Sequence, residues 1–347
     1  MKKALSLLLA IAMVFALSAC GGSKAENGEV NVYNWGEYID EDLLKQFQQE
    51  TGIKVNYSVY SDNESMYSTL KGGSADYDVI IPSDYMISRL ISEDMLEKID
   101  FDNVPNYANI DDDYRNMDYD PTNEYSVPYM WGVVGIVYNT TMVDYVPDSW
   151  DILWDENLAG QILMFDNSRD AIGIALKALG YSYNTTDEAQ ISEAVDKLIE
   201  QKPLVQAYVM DQIFDKMEAG EAAVGPYYAG DAITMIEENP DLAFVFPKEG
   251  SNYYVDAMCI PKGASNKENA EAFINFMCQP EVMAANDAVV KYSVPSSAGR
   301  ELVEEELRDS DICYPSSDVM SKAEVYINLP QEILDLYDAE WIRLKAA

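Results

Sequence analysis

The sequence contains no histidine, and its 23 lysines and arginines face 61 aspartates and glutamates, a formal net charge of −38 over 347 residues. Without imidazole there is no Ser-His-Asp or Cys-His dyad and no zinc site built on histidine. The scarcity of cations excludes a nucleic-acid partner, because phosphates are neutralised by clustered Lys and Arg. Cysteine is also rare: Cys20, Cys259, Cys278 and Cys313 are too few and too widely spaced for a disulfide framework or a metal motif. At most one bond can form among the last three, and ordinary buried thiols are the simpler reading. There is no Gly-x-x-x-x-Gly-Lys-Ser/Thr loop, so the chain is no ATPase of that type. The run Asp111-Asp112-Asp113 lacks the glycine and terminal glutamate of a calcium loop and reads as a solvated loop. No tandem repeat is present, and after residue 20 no apolar run approaches a membrane span. Nothing in the pattern calls for a metal or a cofactor.

What is there is a core. Hydrophobic residues make up 48% of the chain and 25 residues are tyrosine. The length suggests two domains and buries about three quarters of the unfolded surface. The carboxylate excess suits cationic partners, and it suits solubility equally well. The N-terminus reads as an address. Lys2 and Lys3 precede an apolar run from Ala4 to Leu17, interrupted only by Ser6 and too short to span a bilayer comfortably. Leu17-Ser18-Ala19-Cys20 resembles the bacterial lipobox, in which the cysteine is lipidated and becomes the first mature residue. Residues 1–19 are then a signal peptide and 20–28 a flexible tether, leaving a mature charge of 21 − 61 = −40. The expected location is outside the cytoplasmic membrane, lipid-anchored at its outer face, in a periplasm or on the cell surface.

The body alternates strands and helices. Val30–Tyr33 is a β-rich run, a helix carrying Leu43, Leu44 and Phe47 follows Asp40, and Ile53, Val55, Tyr57 and Val59 alternate as a strand. A helix from Asn63 to Lys71, a buried run Val79-Ile80-Ile81 and a helix from Asp84 complete a β-α-β-α-β order, which predicts a parallel sheet. The pattern restarts after Trp131-Gly132, with strands expected over 133–138, 161–165, 222–225, 243–246 and 253–260. The tail from Lys267 reads as largely helical. Ligands of such sheets bind beyond the carboxyl ends of the strands. Those ends collect Trp35, Glu37, Tyr38, Ser83, Asp84 and Tyr85 in the first half and Asn167, Asp170, Tyr228 and Asp231 in the second. A strand-end tyrosine can simply pack, and Asp84, Asp170 and Asp231 each precede helical stretches where they could serve only as caps. Aromatic faces and spaced carboxylates together suit a linear organic polycation: the rings attract ammonium groups and cover methylenes.

The residues resemble a known family. Val32-Tyr33-Asn34-Trp35-Gly36-Glu37-Tyr38-Ile39, Tyr77-Asp78-Val79-Ile80-Ile81-Pro82-Ser83-Asp84-Tyr85, Tyr125-Ser126-Val127-Pro128-Tyr129-Met130-Trp131-Gly132 and Phe246-Pro247-Lys248-Glu249-Gly250 follow, in order, motifs of the spermidine/putrescine-binding proteins of bacterial ABC transporters. The resemblance spans about residues 30–345. It implies an α/β, two-lobed periplasmic-binding-protein-like (type II) fold with a hinge and an inter-lobe ligand cleft. It also implies an aromatic box at Trp35 and Tyr38 with Glu37 nearby, and a lining from Ser83 and Tyr85. Asp170 would pair with an ammonium, Asp256 would bind the deepest amine, and Tyr292 would sit near the ligand's end. Asn167, Tyr228, Tyr254, Asp231 and Gly36 occupy positions where the family often carries Asp, two tryptophans, a small hydroxyl residue and Thr or Ser. Asp231 tilts the expectation towards putrescine, with spermidine close behind.

The expected function is therefore capture of a polyamine between two lobes, 29–135 plus 257–310 and 136–256 plus 311–347, hinged near Trp131–Gly135 and Asp256–Pro261. The implied partners are the polyamine, ABC permease subunits with a separate ATPase, and the membrane through the Cys20 lipid; the protein itself is expected to be a monomer and no enzyme. Another solute on the same fold, a polyamine-sensing receptor and, remotely, a carboxylate-pair hydrolase remain open alternatives.

Overall fold

A computed structural model describes residues 27–73 and 76–347. The expected signal peptide and Cys20, and the tether up to residue 26, lie outside the described residues. Ten strands form one strongly curled, mixed sheet: β1 (Glu29–Trp35), β2 (Lys54–Tyr60), β3 (Val79–Ile80), β4 (Leu96–Glu97), β5 (Ser126–Asn139), β6 (Ile162–Phe165), β7 (Val205–Val209), β8 (Val224–Tyr228), β9 (Leu242–Val245) and β10 (Tyr253–Pro261). Its order is β2-β1-β3-β10-β5-β8-β6-β7, with β4 added to β10 and β9 to β5.

Two halves share this sheet. In the first, β1 pairs in parallel with β2 and β3. Their crossovers are helices α1 (Glu41–Thr51) and α2 (Asn63–Lys71), with α3 (Asp84–Ser92) following β3. Asp40 caps α1, its carboxylate accepting from Asp42 N, and Gly52 ends that helix at φ 71°. In the second half, β6 pairs in parallel with β7 and β8. Its helices are α4 (Ser168–Ala178), α5 (Glu188–Gln201), α6 (Gln212–Glu218) and α7 (Ala229–Glu238). Helices α8 (Lys267–Met277) and α9 (Pro280–Val290) then return to the first half, where Phe273 and Phe276 meet Phe47 of α1 edge-on. The last helix, α10 (Gln331–Ala346), packs on α4 and α5 of the second half.

Strands β5 and β10 hold the halves together. All 14 residues of β5 are buried. It runs antiparallel to β10 over Ser126–Val133, then to β8 over Val134–Tyr138. The chain thus passes from one half to the other within a single ladder. Strand β5 starts seven residues before the run expected from sequence, because Pro128 and the bulky 129–131 stretch hide its period. Strand β8 begins two residues later than expected, so Tyr227 and Tyr228 belong to the strand itself. Strand β7 was missing from the sequence reading. The tail is less helical than expected: between α9 and α10 there are only three four-residue turns of helix, at Ser297–Arg300, Glu305–Arg308 and Ser317–Met320. Cys259, Cys278 and Cys313 are all buried free thiols. Among the described residues no helix is long and apolar enough to cross a membrane.

One buried acid ties the first half to the return of the chain. The Asp78 carboxylate accepts from Asn31 N at 2.8 Å, from Asn266 N at 2.8 Å and from Asn266 Nδ2 at 3.0 Å. Removing it strands backbone donors of β1 and of the turn before α8. Asp78→Ala is expected to cost about 1–3 kcal/mol of stability, read as a lower urea midpoint at unchanged slope. A midpoint equal to the parent's would show that water replaces the carboxylate without loss.

Candidate functional site

A cleft of about 780 Å³, counting its open mouth, lies where the two halves meet over β5 and β10. Eleven of the twelve residues expected at a ligand site line it: Trp35, Tyr38, Ser83, Tyr85, Asn167, Asp170, Tyr228, Asp231, Tyr254, Asp256 and Tyr292. Glu37 is the exception. It adopts φ 47° in the turn after β1, and its side chain is exposed to solvent rather than set in the wall. It reaches the site only as a nearby charge on Asp231.

Asp256 forms the floor. The register of the β10–β5 ladder shifts between Asp256 and Ala257, and such an irregularity re-aims a side chain within a strand. The Tyr38 hydroxyl donates to Asp256 Oδ2 at 2.7 Å, while Oδ1 has no partner among the described residues. Burial raises the Asp256 carboxyl to about 6, with the Ser83 hydroxyl beside it and then the Tyr38 bond opposing the rise. Tyr38 is itself held by ring edges of Tyr129 and Tyr292, at 5.4 and 4.8 Å between centroids. Trp35 is pinned by its indole N–H, which donates to Ile81 O at 2.8 Å.

Asp170 is better supplied. It accepts from Asn167 Nδ2 at 2.7 Å, Tyr228 OH at 2.8 Å and Tyr326 OH at 3.1 Å. Burial still raises its carboxyl, and these three donors limit the rise. Asn167 is the N-cap of α4, accepting from Asp170 N at 2.8 Å. Asp170 therefore is not the cap; it sits inside the first turn and lines the cleft. The same holds for Asp231, in the first turn of α7 behind Tyr228. Asp84 faces elsewhere: buried at the start of α3, it accepts from Tyr85 N and, at 3.2 Å, from Val255 N of β10. Burial pushes Asp231 up to about 8; the charges of Asp211 and Glu37 add to the rise and the Tyr292 hydroxyl opposes it.

The sequence reading missed part of the lining. Tyr60, Asp62, Asn63 and Glu64 come from the β2–α2 connection, Met210 and Asp211 from the β7–α6 connection, and Arg169 from the first turn of α4. The strand-end rule used for β1 and β3 would have found the first group. The second was hidden with β7. Asn63 Nδ2 bridges Ser83 Oγ and Tyr85 OH, both at 3.2 Å, and so orders two of the expected residues. Tyr85 OH donates to Glu64 at 2.9 Å. Gly36 opposes Asp211 across the cleft: a Cβ on Gly36 would stand 2.8 Å from Asp211 Oδ2, so an acid here and a hydroxyl side chain at 36 compete for one space.

Aromatic walls around buried carboxylates make this cleft suited to a cationic solute. A family described as bacterial extracellular solute-binding protein matches residues 42–309. The chain belongs to that family. The spermidine/putrescine-binding periplasmic protein of Salmonella typhimurium is 36% identical over 98% of this chain and 97% of its own length. The putrescine-binding periplasmic protein SpuD of Pseudomonas aeruginosa is 33% identical over 97% of each. A solved structure of a putative spermidine/putrescine ABC transporter from Listeria monocytogenes superposes with a TM-score of 0.88 at 40% identity, covering 91% of this chain and 98% of that one. The two-lobed, periplasmic-binding-protein-like fold expected from sequence is thus the fold of this family member.

The raised carboxyls of this solute-binding cleft make a stability prediction. A carboxyl whose folded-state value lies above its unfolded value near 3.8 binds more protons in the folded state between those two values. Stability is then greatest at the low end of that window and is lost as pH rises through about 6 for Asp256 and about 8 for Asp231. The ligand-free protein is expected to gain roughly 3–5 kcal/mol on going from pH 8 to pH 5, at about 1.4 kcal/mol for each pH unit over which one of these carboxyls takes up its proton. Asp231→Asn should flatten that slope and raise stability at pH 8. A melting temperature that rises with pH over this range would contradict the assignment.

Proposed function

We propose that this solute-binding protein captures a polyamine, putrescine or spermidine, between its two lobes and hands it to an ABC permease driven by a separate ATPase. The observation that carries the reading is the unpartnered oxygen of Asp256, buried at the floor of an aromatic cleft whose lining holds six carboxylates and a single arginine among the described residues. A buried carboxylate without a cation is costly, and an ammonium group removes that cost. The rings of Trp35, Tyr38, Tyr228, Tyr254 and Tyr292 supply negative faces for ammonium groups and apolar cover for the methylenes between them. The names of the relatives support the same solute class.

In this reading lobe one is 29–135 plus 257–310 and lobe two 136–256 plus 311–347, and the chain bends where β5 and β10 cross between them. Tyr38 and Ser83 belong to the first lobe, Asp170, Tyr228 and Asp231 to the second. A dication that meets acids from both sides makes closure favourable, because only the closed cleft satisfies both of its ends. The protein is exported, anchored through a lipid on Cys20, and works as a monomer; it carries out no reaction on its solute.

Titration calorimetry with putrescine, spermidine and spermine, with lysine and magnesium as controls, tests the proposal. One-to-one binding that survives about 0.5 M salt is expected, since a Debye length of about 4 Å leaves only close contacts unscreened. Multi-site binding that salt abolishes would mean that the acidic surface alone attracts polycations. Binding should release protons at pH 7, because an ammonium favours the ionised form of Asp231 and Asp256, and affinity should fall as pH drops through about 6. Asp256→Asn is expected to weaken binding by about 2–4 kcal/mol. A loss under about 0.5 kcal/mol would remove Asp256 from its role, being no more than an exposed ion pair is worth.

A further inference from the structure

Tyr38 presents its hydroxyl to Asp256 from a turn that its own backbone does not hold. The turn joins β1 to α1 and contains Glu37 at φ 47°, a left-handed conformation that is unfavourable for a residue with a side chain and persists where the surroundings fix it. Two buried side chains behind the cleft do so. Tyr129 of β5 and Asn286 of α9 are 4% and 1% exposed, and neither lines the cleft. The Tyr129 hydroxyl donates to the Tyr38 carbonyl at 2.6 Å and accepts from Asn286 Nδ2 at 2.7 Å. Asn286 Oδ1 accepts from Asp40 N at 2.8 Å. The pair thus binds the backbone on both sides of Ile39, and at Asp40 it holds the residue that caps α1. Asn34 Nδ2 adds only a long contact to the same carbonyl, at 3.5 Å. Asn286 Nδ2 also meets Met130 Sδ at 3.8 Å, and Met130 is the ladder partner of Asp256. Both ends of the Tyr38–Asp256 hydrogen bond are therefore steadied by one buried amide.

We propose that Asn286 and Tyr129 are positioning residues for solute binding: they clamp the Tyr38 turn so that the Tyr38 hydroxyl stays on Asp256 Oδ2 and Oδ1 is left for the solute's cation. The inference rests on the polyamine reading, in which Asp256 meets an ammonium group, and adds to it residues that touch no solute. A hydrogen bond given to a carboxylate favours its charged form, and that bond weakens steeply with misalignment. Asp256 is faced by Tyr38, by Tyr60 of β2, by Ser83 and Asp84 at the start of α3, by Tyr129 of β5 and by Tyr254 of its own strand. Among these, the hydroxyls of Ser83 and Tyr38 oppose the rise of its carboxyl on burial. A Tyr38 turn released from the clamp gives up one of the two. Asp256 then takes a proton at higher pH and is a poorer partner for an ammonium group. Tyr129 keeps the proton it donates, since burial raises its hydroxyl well above the usual tyrosine value. The clamp lies wholly within the first lobe of that reading, so it is set before the cleft closes and leaves less to be ordered by the solute.

The test is calorimetry with putrescine and with spermidine on ligand-stripped protein between pH 5 and pH 8. Tyr129→Phe deletes the hydroxyl and keeps the ring that meets Tyr38 edge-on; Asn286→Ala deletes the amide. Each should weaken binding at pH 7 by about three- to tenfold, the worth of one hydrogen bond. Each should also move the pH at which half of the affinity is lost upward by about half a unit, as Tyr38→Phe does directly. In a Tyr38→Phe background the same substitutions should cost less than about twofold, because the hydroxyl that they position is gone. Simple support of the fold would instead lower affinity by the same factor with and without the Tyr38 hydroxyl and leave the pH midpoint where the parent has it; that result would overturn the proposal. Where Asn286→Ala does not fold, Tyr129→Phe, which lacks a single oxygen, decides on the same two readouts. Failure of the parent to bind either polyamine would overturn the functional reading beneath the proposal.

Discussion

A carboxylate held away from water with no cation beside it either takes a proton or waits for a cation. Asp256 and Asp231 are kept in that condition, and much of the cleft exists to keep them there. The irregular register at Asp256 turns its side chain out of a ladder that is otherwise buried. Tyr38 donates one hydroxyl to it, Ser83 stands beside it, and Oδ1 has no partner within bonding geometry among the described residues. Gly230, in the first turn of α7, lets the Tyr292 ring press against the helix backbone, where a Cβ would stand 2.3 Å from the ring. That approach brings Tyr292 beside both Tyr38 and Asp231. The folded state loses stability by keeping these acids dry, and that loss is what a bound ammonium recovers.

Tyrosine suits this arrangement better than tryptophan. A tryptophan N–H donates once at the side of a broad ring, whereas tyrosine offers a ring face and a hydroxyl that donates or accepts. Tyr228 and Tyr326 each send a hydroxyl to Asp170, and Tyr38 sends one to Asp256. These bonds favour the ionised carboxylate without neutralising it. The ring edges then lock one another: Tyr228 meets Tyr254 at 5.4 Å and Tyr254 meets Tyr292 at 6.3 Å. The wall is thereby preorganised, and less ordering is left to be done when a ligand enters.

Much of this was legible in the sequence, for identifiable reasons. Strands β1, β2 and β6 have short, clean apolar patterns, and a β-α-β order fixes the edge on which a site must form. That order alone puts Trp35, Tyr38, Ser83, Tyr85, Asp170 and Asp231 at strand ends, where a site is expected. The misreadings have equally local causes. Glu37 follows Gly36 in a left-handed turn, and its side chain leaves the cleft although its neighbours on both sides stay. Asp211 follows β7, whose exposed Gln206 and half-buried flanks give no clear alternation. Tyr326 arrives from a long irregular segment, held by the parallel bridge between Asn252 and Glu324, and nothing local marks it as a partner of Asp170. Arg169 escaped because a reading that seeks acids for a cationic solute passes over a cation.

The pair Gly36 and Asp211 shows how such a scaffold changes its preferences without changing its fold. A Cβ at 36 would meet the end of the Asp211 side chain at 2.8 Å, so that carboxylate would have to turn aside for it. A residue with a hydroxyl at 36 would place a neutral hydrogen-bonding group on the first lobe. This chain instead leaves that place empty and lets an acid from the second lobe occupy it. Asp211 then stands near Asp231, and burial together with that neighbour keeps the Asp231 carboxyl high. Near Gly36 the charge of Asp211 opposes ionisation of Asp231, while the charge of Arg169 favours ionisation of Glu64 and Asp170. In the proposed reading, closure of the two lobes around that aromatic box discriminates among solutes through such side chains, with no change in the backbone that carries them.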